Sequence, residues 1–163
     1  WTRRILEKVA GALSAAALFP FTGPPYLPFQ GWALRACGVH VAPIGPLIDP
    51  EFGLWHAYRG ALAFDQRLEV PDPGSRLSPC ESCAEKPCLD TCPVGAFGPR
   101  EDPEAPAPYD IPACVAHISS VDGEDCLGRG CLARRSCPVG RDYIYGVDQA
   151  HFHMRRFLKA QGG

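Results

Sequence analysis

The chain has 163 residues, 46% of them apolar and 21% charged, with a formal net charge of -2. This is ordinary globular composition for one domain or two small ones. It lacks the basic surplus of a nucleic-acid binder, and its longest apolar stretch, Val9 to Phe21, is too short and too interrupted for a membrane span.

Eighteen Pro and 17 Gly predict short elements joined by irregular backbone. Nine Cys form an odd set, and no charged leader with an apolar core precedes them, so a reducing cytoplasm is expected rather than a secreted disulfide framework.

The chain opens at Trp1, directly inside a predicted helix, which leaves open whether Trp1 is the biological start. Ile5, Val9, Leu13 and Ala16 or Ala17 recur at helical spacing, which predicts an amphipathic helix from Thr2 to about Phe19. Pro20, Pro24, Pro25 and Pro28 forbid its continuation. A second helix is expected over Phe29–Ala36, with Pro28 at its start and Gly38 past its end.

Pro43 to Gly53 reads as a buried loop, closed by the turn Asp49-Pro-Glu-Phe-Gly53. Leu54 to Phe64 reads as a strand, with His56, Tyr58, Leu62 and Phe64 on one face and Trp55, Arg59 and Ala63 on the other. The Pro-rich stretch Val70 to Ser75 reads as a linker and domain boundary. Beyond it the sequence predicts a turn of helix after Cys88, an acidic Pro-rich loop from Glu101 to Pro108, and a helix from N-cap Asp110 through His117. A further piece near Gly130–Arg135 and a closing helix from Asp148 to about Lys159 complete the elements.

The chemistry lies in the thiols. Cys80, Cys83, Cys88 and Cys92-Pro93 fall within thirteen residues, followed by Cys114, Cys126, Cys131 and Cys137-Pro138. The bacterial ferredoxin run is C-x2-C-x2-C-x3-C-P, whose fourth Cys ligates the other of two clusters. This chain keeps that frame with two extra residues before Cys88, and Cys92-Pro-Val-Gly95 recurs as Cys137-Pro-Val-Gly140. The pattern resembles a two-cluster ferredoxin. It implies one [4Fe-4S] cluster on Cys80, Cys83, Cys88 and Cys137 and a second on Cys114, Cys126, Cys131 and Cys92. The competing reading is a pair of four-cysteine zinc sites, which usually show two C-x2-C knuckles, whereas this chain has one. Cys37 is left over as a small buried hydrophobe, and His117 reads as a shield beside Cys114.

The order of features carries a wider resemblance. Ala42-Pro-Ile-Gly-Pro, the turn and Trp55 of Asp49-Pro-Glu-Phe-Gly-Leu-Trp55, and then the cysteine frame resemble epoxyqueuosine reductases, with Asp110-Ile-Pro-Ala-Cys114 standing where that family supplies a ligand. Ile48 to Gly60, with Leu68-Glu-Val-Pro-Asp72, is also similar to vitamin B12 trafficking chaperones. Both families share a flavin-reductase-like domain that binds a corrinoid, which implies cobalamin near Gly45, His56, Tyr58 and Arg59. The resemblance is not carried to tRNA or queuosine.

The expected fold is α+β. A partial flavin-reductase-like α/β domain spans residues 1–72, a bacterial two-[4Fe-4S] ferredoxin-like module spans 76–146, and a C-terminal helix over 147–163 packs back on the first domain. The expected function is a redox protein passing single electrons through two clusters to a redox partner protein or a corrinoid. From another class comes a structural module that metal merely staples together.

Overall fold

A computed structural model of the chain describes residues 1–70, 74 and 77–162. In chain order the first elements are helix α1 (Thr2–Ala12), strand β1 (Ala16–Leu18), helix α2 (Phe29–Ala36), and strands β2 (His40–Val41), β3 (Leu47–Ile48) and β4 (Ala61–Ala63). Helices α3 (Pro87–Asp90), α4 (Ile111–Ile118), α5 (Glu124–Arg129), α6 (Leu132–Arg135) and α7 (Val147–Ala160) follow, with 3-10 turns at Val121–Gly123 and Arg141–Tyr143. Helices mixed with two small antiparallel sheets make an α+β chain. The linker expected over Val70–Ser75 lies, except for Val70 and Gly74, outside the described residues.

The chain divides into two compact units, Trp1–Gly38 with Ala57–Arg76, and Val39–His56 with Leu77–Gly163. The sequence reading ran its first domain unbroken to residue 72. The structure instead gives the segment 39–56 to the unit that carries the cysteines.

In the first unit α1 stops at Ala12 rather than near Phe19, because Ser14 adopts a left-handed φ of 51° that no helix continues. The chain then turns into β1, which pairs antiparallel with β4 in the register Ala16↔Ala63, Ala17↔Leu62, Leu18↔Ala61. Gly60 makes this junction close: a Cβ there would stand 2.2 Å from Leu6 Cδ2 and 3.0 Å from the Leu18 carbonyl oxygen. The predicted apolar stripe does not become the buried face of α1, since Ile5, Val9 and Leu13 remain 41%, 40% and 52% exposed while Ala10 is buried. Helix α2 spans the expected residues and buries Phe29 and Ala33.

The expected strand over Leu54–Phe64 shrinks to β4, because β1 offers only three residues of ladder. The predicted alternation of faces fails with it: Leu54 and Trp55 are both buried, although they are adjacent.

The second unit is built around its own thiols. Ala42, Ile44, Ile48, Leu54, Cys88 and Cys137 form one buried cluster, with Cys80, Leu89, Phe97 and Val139 packed against it. Ile48 and Leu54 are the most deeply buried large residues of the segment 39–56, each contributing about 2 kcal/mol of transfer free energy. The segment is also held by backbone. Gly53 at φ 59° and Gly140 at φ 69° pass so closely that a Cβ on Gly53 would lie 2.1 Å from the Val139 carbonyl oxygen, and one on Gly140 2.3 Å from the Phe52 carbonyl carbon.

Arg134 completes the attachment. It donates from Nε to the Leu54 carbonyl at 3.1 Å and from Nη2 to the same oxygen. Its guanidinium lies 4.4 Å from the Trp55 ring centre and 4.9 Å from that of Tyr145. Helix α7 packs on α5, within its own unit, where the His151 ring stands 3.2 Å from the Leu127 carbonyl.

Candidate thiol centres

The tight turns of the cysteine frame are shaped by identifiable residues. Lys86, at φ 39°, reverses the chain before Pro87 opens α3, and its ammonium donates to the carbonyls of Cys80 and Cys83, each at 3.2 Å. The extra residues before Cys88 therefore hold a lysine that fastens the Cys80–Cys83 turn. Asp110 caps α4 as predicted, accepting from the Ala113 N–H at 2.9 Å, and so fixes Cys114 in the first turn of that helix. Cys126 lies in α5, and Cys131 is the residue preceding α6.

These elements gather the thiols into two groups. Cys80, Cys83, Cys88 and Cys137 line one small cavity with Pro43, Ile48, Lys86 and Val139. Cys92, Cys114, Cys126 and Cys131 line a larger one of about 270 Å³, walled by Phe97, Ile118, Leu132, Met154 and Phe157. The grouping is the one expected from sequence, with Cys92 and Cys137 each crossing to the other half. All nine cysteines are free thiols.

Electrostatics divide along the same line. Burial pushes the Cys88 thiol up to about 11, with repulsion from Cys137, Cys80 and Cys83 added to it. Burial likewise raises Cys80 and Cys137. In the other group burial raises Cys114, to which Cys92 and Cys126 add, and raises Cys131, to which Cys126 and Cys114 add. Each raised thiol draws its like-charge contribution only from the thiols of its own group. Donors oppose these shifts: backbone N–H groups at Cys131 and Cys137, and the Ser78 hydroxyl at Cys80. The Ala96 N–H also donates to Cys92 Sγ at 3.4 Å.

No protein-family model, no curated protein and no solved structure matches this chain. Its chemistry is read from its own residues.

Among the described residues no three His, Cys, Asp or Glu side chains draw close enough to hold a single metal ion. Cys92, Cys114, Cys126 and Cys131 surround a volume of about 270 Å³, whereas the cavity between Cys80, Cys83, Cys88 and Cys137 holds about 20 Å³. Two further polar groups face the larger volume. His117 lines it and leaves its Nε2 buried without a partner. Tyr109 also lines it, and burial raises that phenol well above its ordinary value. Sequence reasoning passed over Tyr109, whose signal was its place just before the N-cap Asp110. It also passed over Arg134.

The four residues expected near a corrinoid fall in both units. Tyr58, half-buried, and exposed Arg59 belong to the first; Gly45 and His56 belong to the second. His56 Nδ1 stands 3.1 Å from the Gly53 carbonyl, within its own turn. Gly45, at φ 100°, turns the chain between β2 and β3, and its neighbours Ile44 and Pro46 line the larger thiol cavity. Cys37, expected to be buried, is exposed at the end of α2.

Proposed function

We propose that this chain is an iron-sulfur redox protein in which each group of four thiolates holds a [4Fe-4S] cluster and single electrons pass through the pair to a redox partner protein. The observation that carries the reading is the gathering of eight thiols into two cavities, four in each, that exchange their fourth cysteine. In this reading the second unit is the two-cluster ferredoxin-like module, extended by the segment 39–56, and the first is the partial flavin-reductase-like domain.

The residues suit such a group. Iron in these clusters prefers thiolate, and the larger cavity, about 270 Å³ with four thiols on its wall, has the room of a polynuclear centre, whereas one tetrahedral zinc ion needs its donors about 2.3 Å from a single point. The buried, unpartnered Nε2 of His117 supplies a polar atom that a sulfide or thiolate would satisfy.

A [4Fe-4S] cluster supplies a one-electron couple whose potential depends on net charge, hydrogen bonds to its sulfurs and solvent exposure. The chain sets those conditions. Its apolar walls exclude water from Cys88, Cys126 and Cys137, each under 9% exposed. The N–H groups at Cys92, Cys131 and Cys137 hold the sulfurs and offset their charge.

A second reading, the metal-stapled structural module, is favoured by the membership of Cys88 and Cys137 in the buried core. Dithionite reduction followed by electron paramagnetic resonance separates the two: two interacting signals are expected of the redox protein. Silence under strong reductant in iron-loaded protein would leave only the staple.

A further inference from the structure

The widened gap of the first thiol group carries a charge. Where the ferredoxin frame has two residues between its second and third cysteines, this chain has four, Ala84-Glu-Lys-Pro87, and the third of them is Lys86. Its φ of 39° lies in the left-handed region that a residue with a Cβ rarely adopts, and Pro87 then opens α3. The lysine is turned back onto the loop that precedes it. Its Nζ donates to the carbonyl oxygens of Cys80 and Cys83, each at 3.2 Å, so the ammonium is part of the wall shared by Cys80, Cys83, Cys88 and Cys137.

Both partners of that ammonium are neutral. Glu81 and Glu85 are exposed, and the ion pairs among the described residues, Arg3–Glu7, Arg129–Asp125 and Arg135–Asp125, leave Lys86 out. The other half of the cysteine frame supplies a comparison. Its gap of four, Leu127-Gly-Arg-Gly130 between Cys126 and Cys131, also has a cation at the third place, Arg129. That side chain is 66% exposed and faces Asp125 at 3.7 Å. One cation is turned in and left without a carboxylate; its counterpart is turned out and paired.

We propose that the Lys86 ammonium is a fixed positive charge beside the centre held by Cys80, Cys83, Cys88 and Cys137 and raises its reduction potential. The proposal rests on the functional reading above, to which it adds a positioning residue and a direction. A centre that accepts an electron gains one negative charge, and a cation held in its partly buried wall favours that state. The electron comes from the mediator in a titration or from the donor protein in use. No covalent bond is made or broken, and no proton moves.

The test is a redox titration of the iron-loaded protein, followed by electron paramagnetic resonance, on wild type, Lys86→Gln, Lys86→Arg and Arg129→Gln. Glutamine keeps a donor and loses the charge. It should cost the reduced state about tenfold in its equilibrium with the oxidised one, a fall of about 59 mV for one electron, in the couple that Cys137→Ser removes. Lys86→Arg should hold that couple near its wild-type value, and Arg129→Gln should move neither couple. An unmoved couple in loaded Lys86→Gln would overturn the inference alone. So would an equal fall in Lys86→Arg, which would trace the effect to the shape of the turn rather than to its charge.

A second measurement leaves the turn intact, and it decides the matter where Lys86→Gln does not assemble the first centre. The chain has three lysines, Lys8, Lys86 and Lys159, and the other two are exposed. In Lys8→Arg/Lys159→Arg protein carrying Cys92→Ser, which keeps only the first centre, the 13Cε resonance of labelled lysine belongs to Lys86 alone. Reduction of the centre should shift or broaden it. A resonance indifferent to reduction would put the ammonium away from the centre and overturn the inference. Wild-type protein loaded under anaerobic conditions yet devoid of iron and sulfide would overturn the functional reading, and this inference with it.

Discussion

The repeated Cys-Pro-Val-Gly motif offers an internally controlled perturbation, Gly140→Ala against Gly95→Ala. The two glycines share one backbone conformation, φ 58° at Gly95 and 69° at Gly140, so the left-handed strain of an alanine, about 1–2 kcal/mol, is common to both. The surroundings differ. A Cβ on Gly95 meets nothing within 4 Å, whereas one on Gly140 would stand 2.3 Å from Phe52 C, 2.4 Å from Phe52 O and 2.5 Å from Gly53 N.

Those neighbours are backbone, so relief requires moving the turn of Asp49 to Gly53 off the Cys137 loop. Overpacking of this kind adds about 1–3 kcal/mol. Gly95→Ala should therefore cost about 1–2 kcal/mol and Gly140→Ala about 3–4 kcal/mol. For a chain of this size the difference corresponds to a melting temperature lower by about 5 °C. Urea unfolding of the loaded protein, read by visible absorbance and far-ultraviolet dichroism, measures both. Equal losses in the two variants would refute the close approach of Gly140 to Gly53, and with it the attachment of the segment 39–56.

Crossed ligation makes Cys137→Ser remove the centre shared with Cys80, Cys83 and Cys88, and Cys92→Ser remove the other. Each should halve the iron content and leave a distinct remaining spectrum, and identical remaining spectra would contradict the crossing. Arg134→Lys keeps the charge but loses the fork on the Leu54 carbonyl and the stack between Trp55 and Tyr145, at about 1–2 kcal/mol. An unchanged urea midpoint would show that contact to be idle.

The metal-free, reduced protein should lose stability with alkali. Cys80, Cys88, Cys114, Cys131 and Cys137 hold their protons more tightly than the ordinary value of 9.0, Cys88 up to about 11, so that contribution is complete below the unfolded value and lost as pH rises through the folded one. Comparing urea midpoints at about pH 7.5 and about pH 10 reads the slope, and a rise with pH would contradict it. Loading releases those protons, so metal uptake should improve across the same rise.

What could be read from the residues was what depends on local chemistry. Asp110 announces a helix start because its carboxylate can accept the Ala113 N–H. The proline after Cys92 and Cys137 redirects the chain away from the preceding thiols. The matching φ of Gly95 and Gly140 shows why the same four residues recur.

What depended on distant partners was not legible. Val39–His56 joins the second unit through Gly140, Arg134 and the buried thiols, all more than 30 residues away in sequence. The short strand β1 exists only because Ala61–Ala63 pairs with it. Ile5, Val9 and Leu13 have helical spacing, but spacing alone does not say which stripe of a helix is covered. Helix α5 escaped notice because its six residues, Glu124–Arg129, include only Cys126 and Leu127 as apolar side chains.

Iron and acid-labile sulfide analysis of anaerobically purified protein, with metal identified by mass spectrometry, tests the central claim most directly. About eight irons and eight sulfides per chain are expected, as two [4Fe-4S] clusters require. Stoichiometric zinc without sulfide, or thiols joined as disulfides, would contradict it.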